Sequence, residues 1–124
     1  MKINLENWNV LNLNFSILRE ETREDNSFGL NIGHFFPEDS PTIFGVSFDV
    51  EIKDTRFDLH IEANFLFQSD ESISEEFKLS DFPKINAPAI AFPYLRAYIS
   101  NLTLQSGFEP VILPSINFVN LAEE

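Results

Sequence analysis

The chain contains no cysteine and only two histidines, which removes several kinds of site at once. Without thiols there is no disulfide, no thiolate zinc site and no cysteine nucleophile, and a reducing compartment is the natural home of such a chain. With only His34 and His60 available, a catalytic zinc site with three histidines is excluded as well. We therefore expect no metal site and no cofactor.

Basic side chains and long apolar runs are also scarce. Eight Lys and Arg stand against twenty Asp and Glu, so the formal net charge is −12 at pH 7, which repels a phosphate backbone. The longest nearly apolar run, Ala87 to Leu95, is far shorter than the roughly 20 residues of a membrane helix, and no signal-peptide pattern opens the sequence. We expect a cytoplasmic protein that neither binds nucleic acid nor inserts into a membrane.

Apolar residues, by contrast, are abundant. They make up 44% of the 124 residues and include fourteen Phe, well above the composition of disordered chains. A chain of this length supports one small core. We therefore predict a single domain over residues 1–124.

Apolar residues recur at every second position in four runs, which is the pattern of half-buried β-strands. The strands are predicted at about residues 9–19, 28–36, 43–53 and 56–68. Their short connections favour an antiparallel sheet, because parallel strands need long crossovers. One face is expected to be apolar and the other acidic or amide-rich. We expect the first run to place four residues on the apolar face, namely Leu11, Leu13, Phe15 and Ile17.

The C-terminal third has a helical pattern instead. A seam at spacings of three and four is formed by Phe92, Leu95, Ile99 and Leu102. It predicts a helix over about residues 87–106, packed on one face of the sheet, with Asn86 as N-cap and Gly107 after its last turn. Since Arg96 is its only charged residue, we expect a second packing partner, another subunit.

Two strings in this third resemble the SecB family of export chaperones, APAIAFPYLRAYIS over residues 87–100 and LPSINF over residues 113–118. Members carry a similar P-x-I-x-F-P-Y-x-R-x-x-I-S string on their first long helix, then a glycine, a loop with proline and a terminal N-F. The string is fairly specific, because a proline inside a helical pattern seldom arises by chance.

The resemblance implies an α+β fold, a four-stranded antiparallel sheet followed by one long helix. It also implies a non-enzymatic holdase, assembled as a dimer of dimers, which keeps unfolded precursors from aggregating and in export delivers them to the SecA motor. Typical members continue into a second helix and a tail, whereas this sequence ends soon after Phe118, so we expect that helix to be absent or vestigial and part of the groove to be missing. Some short SecB-like proteins instead serve one client in toxin–antitoxin systems.

Three surfaces are predicted on this basis. From the residues alone, the apolar segment 108–118 either folds over its own sheet or lines a groove, and the resemblance favours a loop that does both. The client groove would contain Phe92, Tyr94, Phe108, Leu113, Ile116 and Phe118. The subunit interface would contain Tyr94, Arg96, Tyr98 and Asn101. An acidic face, which is either merely solvated or a docking face for basic stretches of clients or of SecA, would contain Asp49, Glu51, Asp58 and Glu62.

No catalytic residue is predicted. The acidic pairs lack a Gly-rich loop, a nucleophile elbow or a His–carboxylate spacing, and both histidines fit ordinary surface positions. Three alternatives to a general holdase stay open: a chaperone dedicated to one client such as an antitoxin, a structural oligomer or adaptor, and a small-molecule binder that no residue favours. The range of clients distinguishes the first two from a holdase.

Overall fold

The computed structural model describes residues 1–19 and 23–122. The chain divides into two compact units, residues 1–72 with the strands and residues 73–124 with the helices. The elements are β1 (Ile3–Ile17), β2 (Ser27–Phe35), β3 (Ile43–Lys53), β4 (Phe57–Ser69), α1 (Glu75–Lys78), α2 (Ala87–Gln105) and α3 (Phe118–Ala122), with a π-helical turn, Phe82–Asn86, leading into α2. The predicted α+β class, with four antiparallel strands, a long helix and a vestigial terminal helix, is confirmed.

The four strands form one antiparallel sheet in the order β1-β4-β3-β2. Because β1 pairs with β4 and β2 pairs with β3, the edges of the sheet are β1 and β2. Residues that pair directly share a face, so alternate positions of the two central strands form one buried apolar face. Its members, each 5% exposed or less, are Phe44, Val46, Phe48, Val50, Ile52, Phe57, Leu59, Ile61, Ala63, Phe65 and Phe67.

The first strand departs from the expected pattern. It begins at Ile3 rather than near residue 9, and its register against β4 shifts between Leu5 and Asn7 and again between Val10 and Asn12. An extra residue at such a bulge changes which later positions face the core. Leu11 falls at the second bulge and is 59% exposed, so its predicted place on the apolar face is wrong.

The turn between β3 and β4, residues 54–56, anchors the connection between β1 and β2. The Asp54 carboxylate accepts hydrogen bonds from the Arg56 backbone N–H and from Nε of its guanidinium, both at 2.9 Å. The Leu18 N–H donates to the Arg56 carbonyl at 2.8 Å, and the Arg23 guanidinium donates to the Asp54 carbonyl at 3.0 Å. The turn therefore holds Leu18 and Arg23 of that connection, with a single buried carboxylate at its centre.

Replacing Asp54 with Asn is expected to destabilise the fold in a pH-dependent way. Burial raises the pKa of the Asp54 carboxyl, but the hydrogen bonds and positive charge of Arg56 outweigh it, so the net pKa lies below its ordinary value. Stability from such a group is present above the unfolded pKa of about 3.9 and is lost as the pH falls through the folded pKa.

Because the Arg56 side chain is 40% exposed and therefore partly screened, we expect Asp54→Asn to cost about 1 kcal/mol at neutral pH. Urea unfolding of both proteins measures the difference, which should shrink as the pH approaches about 3. An equal difference at both pH values would contradict this role of the carboxylate.

The long helix α2 ends as predicted but begins differently. Asn86 has helical angles (φ −70°, ψ −45°) and makes no side-chain cap hydrogen bond, so its predicted N-cap role is wrong, since the chain is already helical in the preceding π-helical turn. At the other end Gly107 has a φ of +97°. Its N–H donates to the Leu104 carbonyl and the Phe108 N–H to the Thr103 carbonyl, both at 3.1 Å, a Schellman motif that favours glycine. No helix among the described residues is long and apolar enough to cross a membrane.

Candidate functional site

The loop between α2 and α3 is held against α2 by two hydroxyl groups. Ser100 Oγ donates to the Val111 carbonyl at 2.6 Å, and the Val111 N–H donates to Thr103 Oγ1 at 2.9 Å. Thr103 is fully buried, and its hydroxyl in turn donates to the Ile99 carbonyl at 3.0 Å. Both backbone groups of Val111 are thus satisfied, so this irregular segment has a defined position on the helix.

The predicted groove residues divide into two sets by exposure. Phe92 and Leu113 are 3% exposed and Phe118 is 8% exposed; the Phe92 and Phe118 rings meet edge to face with centroids 5.7 Å apart. Tyr94 is exposed, while Phe108 and Ile116 are partly exposed. The first set therefore supports the loop and the helices, and the second set offers surface to a ligand.

Ile112 belongs with the exposed set; it lies in the apolar segment 108–118 that was predicted to line a groove, but it was not among the six groove residues named from the sequence. Its side chain is 80% exposed, while its neighbour Leu113 is buried and Val111 is partly buried. The Val111 backbone contacts fix this orientation, which leaves a large aliphatic side chain on a well-anchored loop. The only signal in the sequence is the local alternation of an extended segment, which does not say which residue points outward.

The exposed face of α2 carries a stripe at alternating spacings of four and three, Ile90, Tyr94, Ala97, Asn101 and Leu104. We call these five residues the α2 stripe. Two predicted interface residues, Tyr94 and Asn101, belong to it, while Arg96 and Tyr98 are partly exposed and lie outside it. The Arg96 guanidinium lies 6.0 Å from the centroid of the Phe92 ring. A 4-3 spacing is the pattern with which one helix packs along another.

The predicted acidic residues lie together on the polar face of the sheet. The β3–β4 register pairs Asp49 with Glu62, while Glu51 pairs with His60 and Lys53 with Asp58. Two of the four carboxylates have a cationic neighbour: Lys53 Nζ lies 3.5 Å from Glu51, and Arg23 Nη1 lies 2.8 Å from Asp58. These pairs are partly exposed, so they neutralise the face only in part.

Asp49 and Glu62 instead face His60. The imidazole Nε2–H donates to Asp49 Oδ1 at 2.7 Å, and the same nitrogen lies 4.0 Å from Glu62 Oε1. Spacing along the chain did not reveal this cluster, because Asp49 reaches it only through the register of two neighbouring strands.

This arrangement of sheet and helix defines a known class of fold. It occurs in a SecB-like chaperone of Mycobacterium tuberculosis, whose structure was solved in complex with a peptide from an antitoxin. The two chains superpose with a TM-score of 0.70 at 15% sequence identity, over 92% of this chain and 87% of that one. At this identity the likeness shows the fold alone.

The sequence adds the family. A family model described as preprotein translocase subunit SecB matches residues 16–124, and the chain belongs to the SecB family. It is 31% identical over 86 residues to the protein-export protein SecB of Magnetococcus marinus. The aligned region covers 63% of this chain and 52% of that protein. It is 26% identical over 109 residues to the protein-export protein SecB of Hyphomonas neptunium, covering 82% and 63%. The chain thus spans about half to two thirds of the length of these relatives.

Proposed function

We propose that this chain is a cytoplasmic molecular chaperone of the holdase type, not an enzyme, which binds unfolded polypeptide without nucleotide. The observation that carries the proposal is the anchored loop after α2, which presents Ile112 to solvent. The partly exposed Phe108 and Ile116 add to the apolar surface of the same unit. Apolar contacts are non-directional, so such a surface accepts many sequences. Membership of a family described as a translocase subunit supports this reading.

Two client ranges are compatible with this surface. A general holdase would bind many precursors for Sec-dependent export and pass them to the SecA motor, and family membership favours it. A dedicated chaperone would bind one client such as an antitoxin, and the likeness to a SecB-like chaperone solved with an antitoxin peptide favours that. The general holdase is our first choice.

We further propose that the α2 stripe packs against the same stripe of another subunit in a tetramer, a dimer of dimers. The stripe is apolar or neutral, and α2 has a single charged residue over its 19 positions, Arg96. Solvent-facing helices normally carry far more charge. Several client surfaces in one assembly would strengthen binding by multivalency.

The four acidic residues of the sheet are proposed as a docking face for basic segments of a motor protein or of clients. Their side chains are between 43% and 58% exposed and share one face. Attraction between exposed charges is screened by salt, so docking at this face would weaken as ionic strength rises.

Suppression of aggregation tests the holdase proposal. Two unrelated proteins are unfolded in denaturant and diluted into buffer with or without this chain, and their aggregation is followed by light scattering. A general holdase protects both, whereas a dedicated chaperone protects neither but does protect its own client. If the folded chain protects neither of them and binds no unfolded peptide, it is not a holdase, and the structural adaptor becomes the better reading.

A further inference from the structure

We propose that Asp49, His60 and Glu62 form a binding site for a divalent transition-metal cation of the zinc type. His60 and Glu62 are two residues apart on β4, so they share the polar face, and Asp49 pairs directly with Glu62 from β3. One ligand atom from each side chain lies within 4.8 Å of the other two. The sheet backbone therefore brings an imidazole nitrogen and two carboxylate oxygens to one point.

The distances between these atoms suit a small ion after modest side-chain motion. Nitrogen and oxygen ligands bind Zn²⁺ at about 2.1 Å, so two of them in a tetrahedral shell lie roughly 3.4 Å apart. From His60 Nε2, Asp49 Oδ1 is at 2.7 Å and Glu62 Oε1 is at 4.0 Å, which brackets that value. All three side chains are a third to a half exposed. Rotation about their side-chain bonds can therefore move the ligand atoms by about 1 Å without disturbing the core.

The charges of the cluster also favour a cation. In the described ranges 1–19 and 23–122, the ion pairs of Asp49 and Glu62 involve His60 alone, while Lys53 and Arg23 lie against other carboxylates. With a neutral imidazole the two carboxylates carry two uncompensated negative charges. When the imidazole proton is on Nδ1, the Nε2 atom has a lone pair that binds the ion. The bond from Nε2 to the ion then takes the place of its hydrogen bond to Asp49.

An open depression of about 420 Å³ is lined by Asp49 and Glu62 but not by His60, so it leaves room beside the two carboxylates. Asn31, Ser47 and Asn64 also line it, and the Ser47–Asn64 pair lies on the side of Asp49 and Glu62 away from His60. Gly33 helps to keep it open, since a Cβ at that position would lie 2.7 Å from Ser47 Oγ.

The donor set indicates which cation should bind. Mg²⁺ and Ca²⁺ prefer shells made of oxygen, whereas an imidazole with carboxylates suits Zn²⁺ and its spectroscopic substitute Co²⁺. We therefore expect saturable uptake of one Zn²⁺ or Co²⁺ per chain, with little competition from excess Mg²⁺.

The test is a titration of the full chain, stripped with chelator, with Zn²⁺ by calorimetry and with Co²⁺ by visible absorption. His60→Gln should weaken binding by at least about tenfold, since it removes the only nitrogen ligand. The matched control is His34→Gln, which changes the other histidine, on β2, and should leave binding unchanged.

Three outcomes would overturn the proposal. The first is no saturable uptake by the unmodified chain, and the second is equal weakening by His34→Gln. The third is equal uptake by the unmodified chain and His60→Gln, which would mean an adventitious ion only. Thermal melting in the absence of metal checks that the variants fold. If His60→Gln does not fold, Glu62→Gln gives a second measurement, since the Glu62 side chain is partly exposed.

Discussion

Replacing both Tyr94 and Asn101 with glutamate is expected to break the assembly into smaller species while each chain stays folded. Both residues are exposed in the single chain, so glutamate fits there without disturbing its packing. In an assembled stripe, each carboxylate would be buried without a partner, at a cost of about 3 kcal/mol per site. Because the same stripe contributes from both subunits, four such carboxylates are buried at each interface, at about 12 kcal/mol in total, so the association constant should fall by far more than ten-thousandfold.

Light scattering at micromolar concentration measures this effect as mass. The unmodified chain should have a mass near four chains of 14.3 kDa, and the double variant should fall well below it. Leu79→Glu is the control, because Leu79 is 77% exposed, lies outside the α2 stripe and receives the same charge. A double variant that keeps the parent mass would show that the α2 stripe is not the interface.

Ile112→Ser is expected to weaken the binding of an unfolded client by roughly thirtyfold. Ile112 is 80% exposed in the chain, so its burial by a client would contribute about 2 kcal/mol that serine cannot supply. The loop should keep its position, because the contacts of Ser100 and Thr103 are made with the Val111 backbone. The melting temperature should therefore be unchanged.

Leu79→Ser is the matched control for this variant, since it removes an aliphatic side chain of similar exposure outside the loop. Affinity for a labelled unfolded polypeptide, measured by fluorescence anisotropy, compares the two. Equal affinities for Ile112→Ser, Leu79→Ser and the unmodified chain would place client binding elsewhere.

Much of the fold was predictable because its central strands are regular. In β3 and β4 every second residue is apolar without interruption, and the structure buries those residues on one face. Gly107 was predictable for a similar reason, since a left-handed position after a helix favours glycine.

The differences arise where local pattern is not decisive. Leu11 fits the alternation of its neighbours, yet a bulge against β4 turns it outward, and bulges leave no clear mark in a sequence. Asn86 is a good N-cap residue, but the preceding segment is already helical. For Leu11 the deciding contact comes from β4, a part of the chain that a short window does not include.

The candidate sites show the same limit. The apolar density of residues 108–118 was evident, but the exposure of Ile112 depends on hydroxyl groups of α2 that hold Val111. The expectation of no metal site rested on counting thiols and imidazoles, and the metal titration described above tests it. The cluster around His60 depends on strand register, which residue counts do not contain.

The central claim, that this chain binds unfolded polypeptide through exposed apolar side chains, is tested most directly by a binding titration. Two unrelated polypeptides, chemically blocked so that they cannot fold, are labelled and titrated with the chain while anisotropy is recorded. We predict saturable binding of both that needs neither nucleotide nor metal and weakens with Ile112→Ser. A chain that melts cooperatively yet binds neither polypeptide at micromolar concentration would contradict the claim.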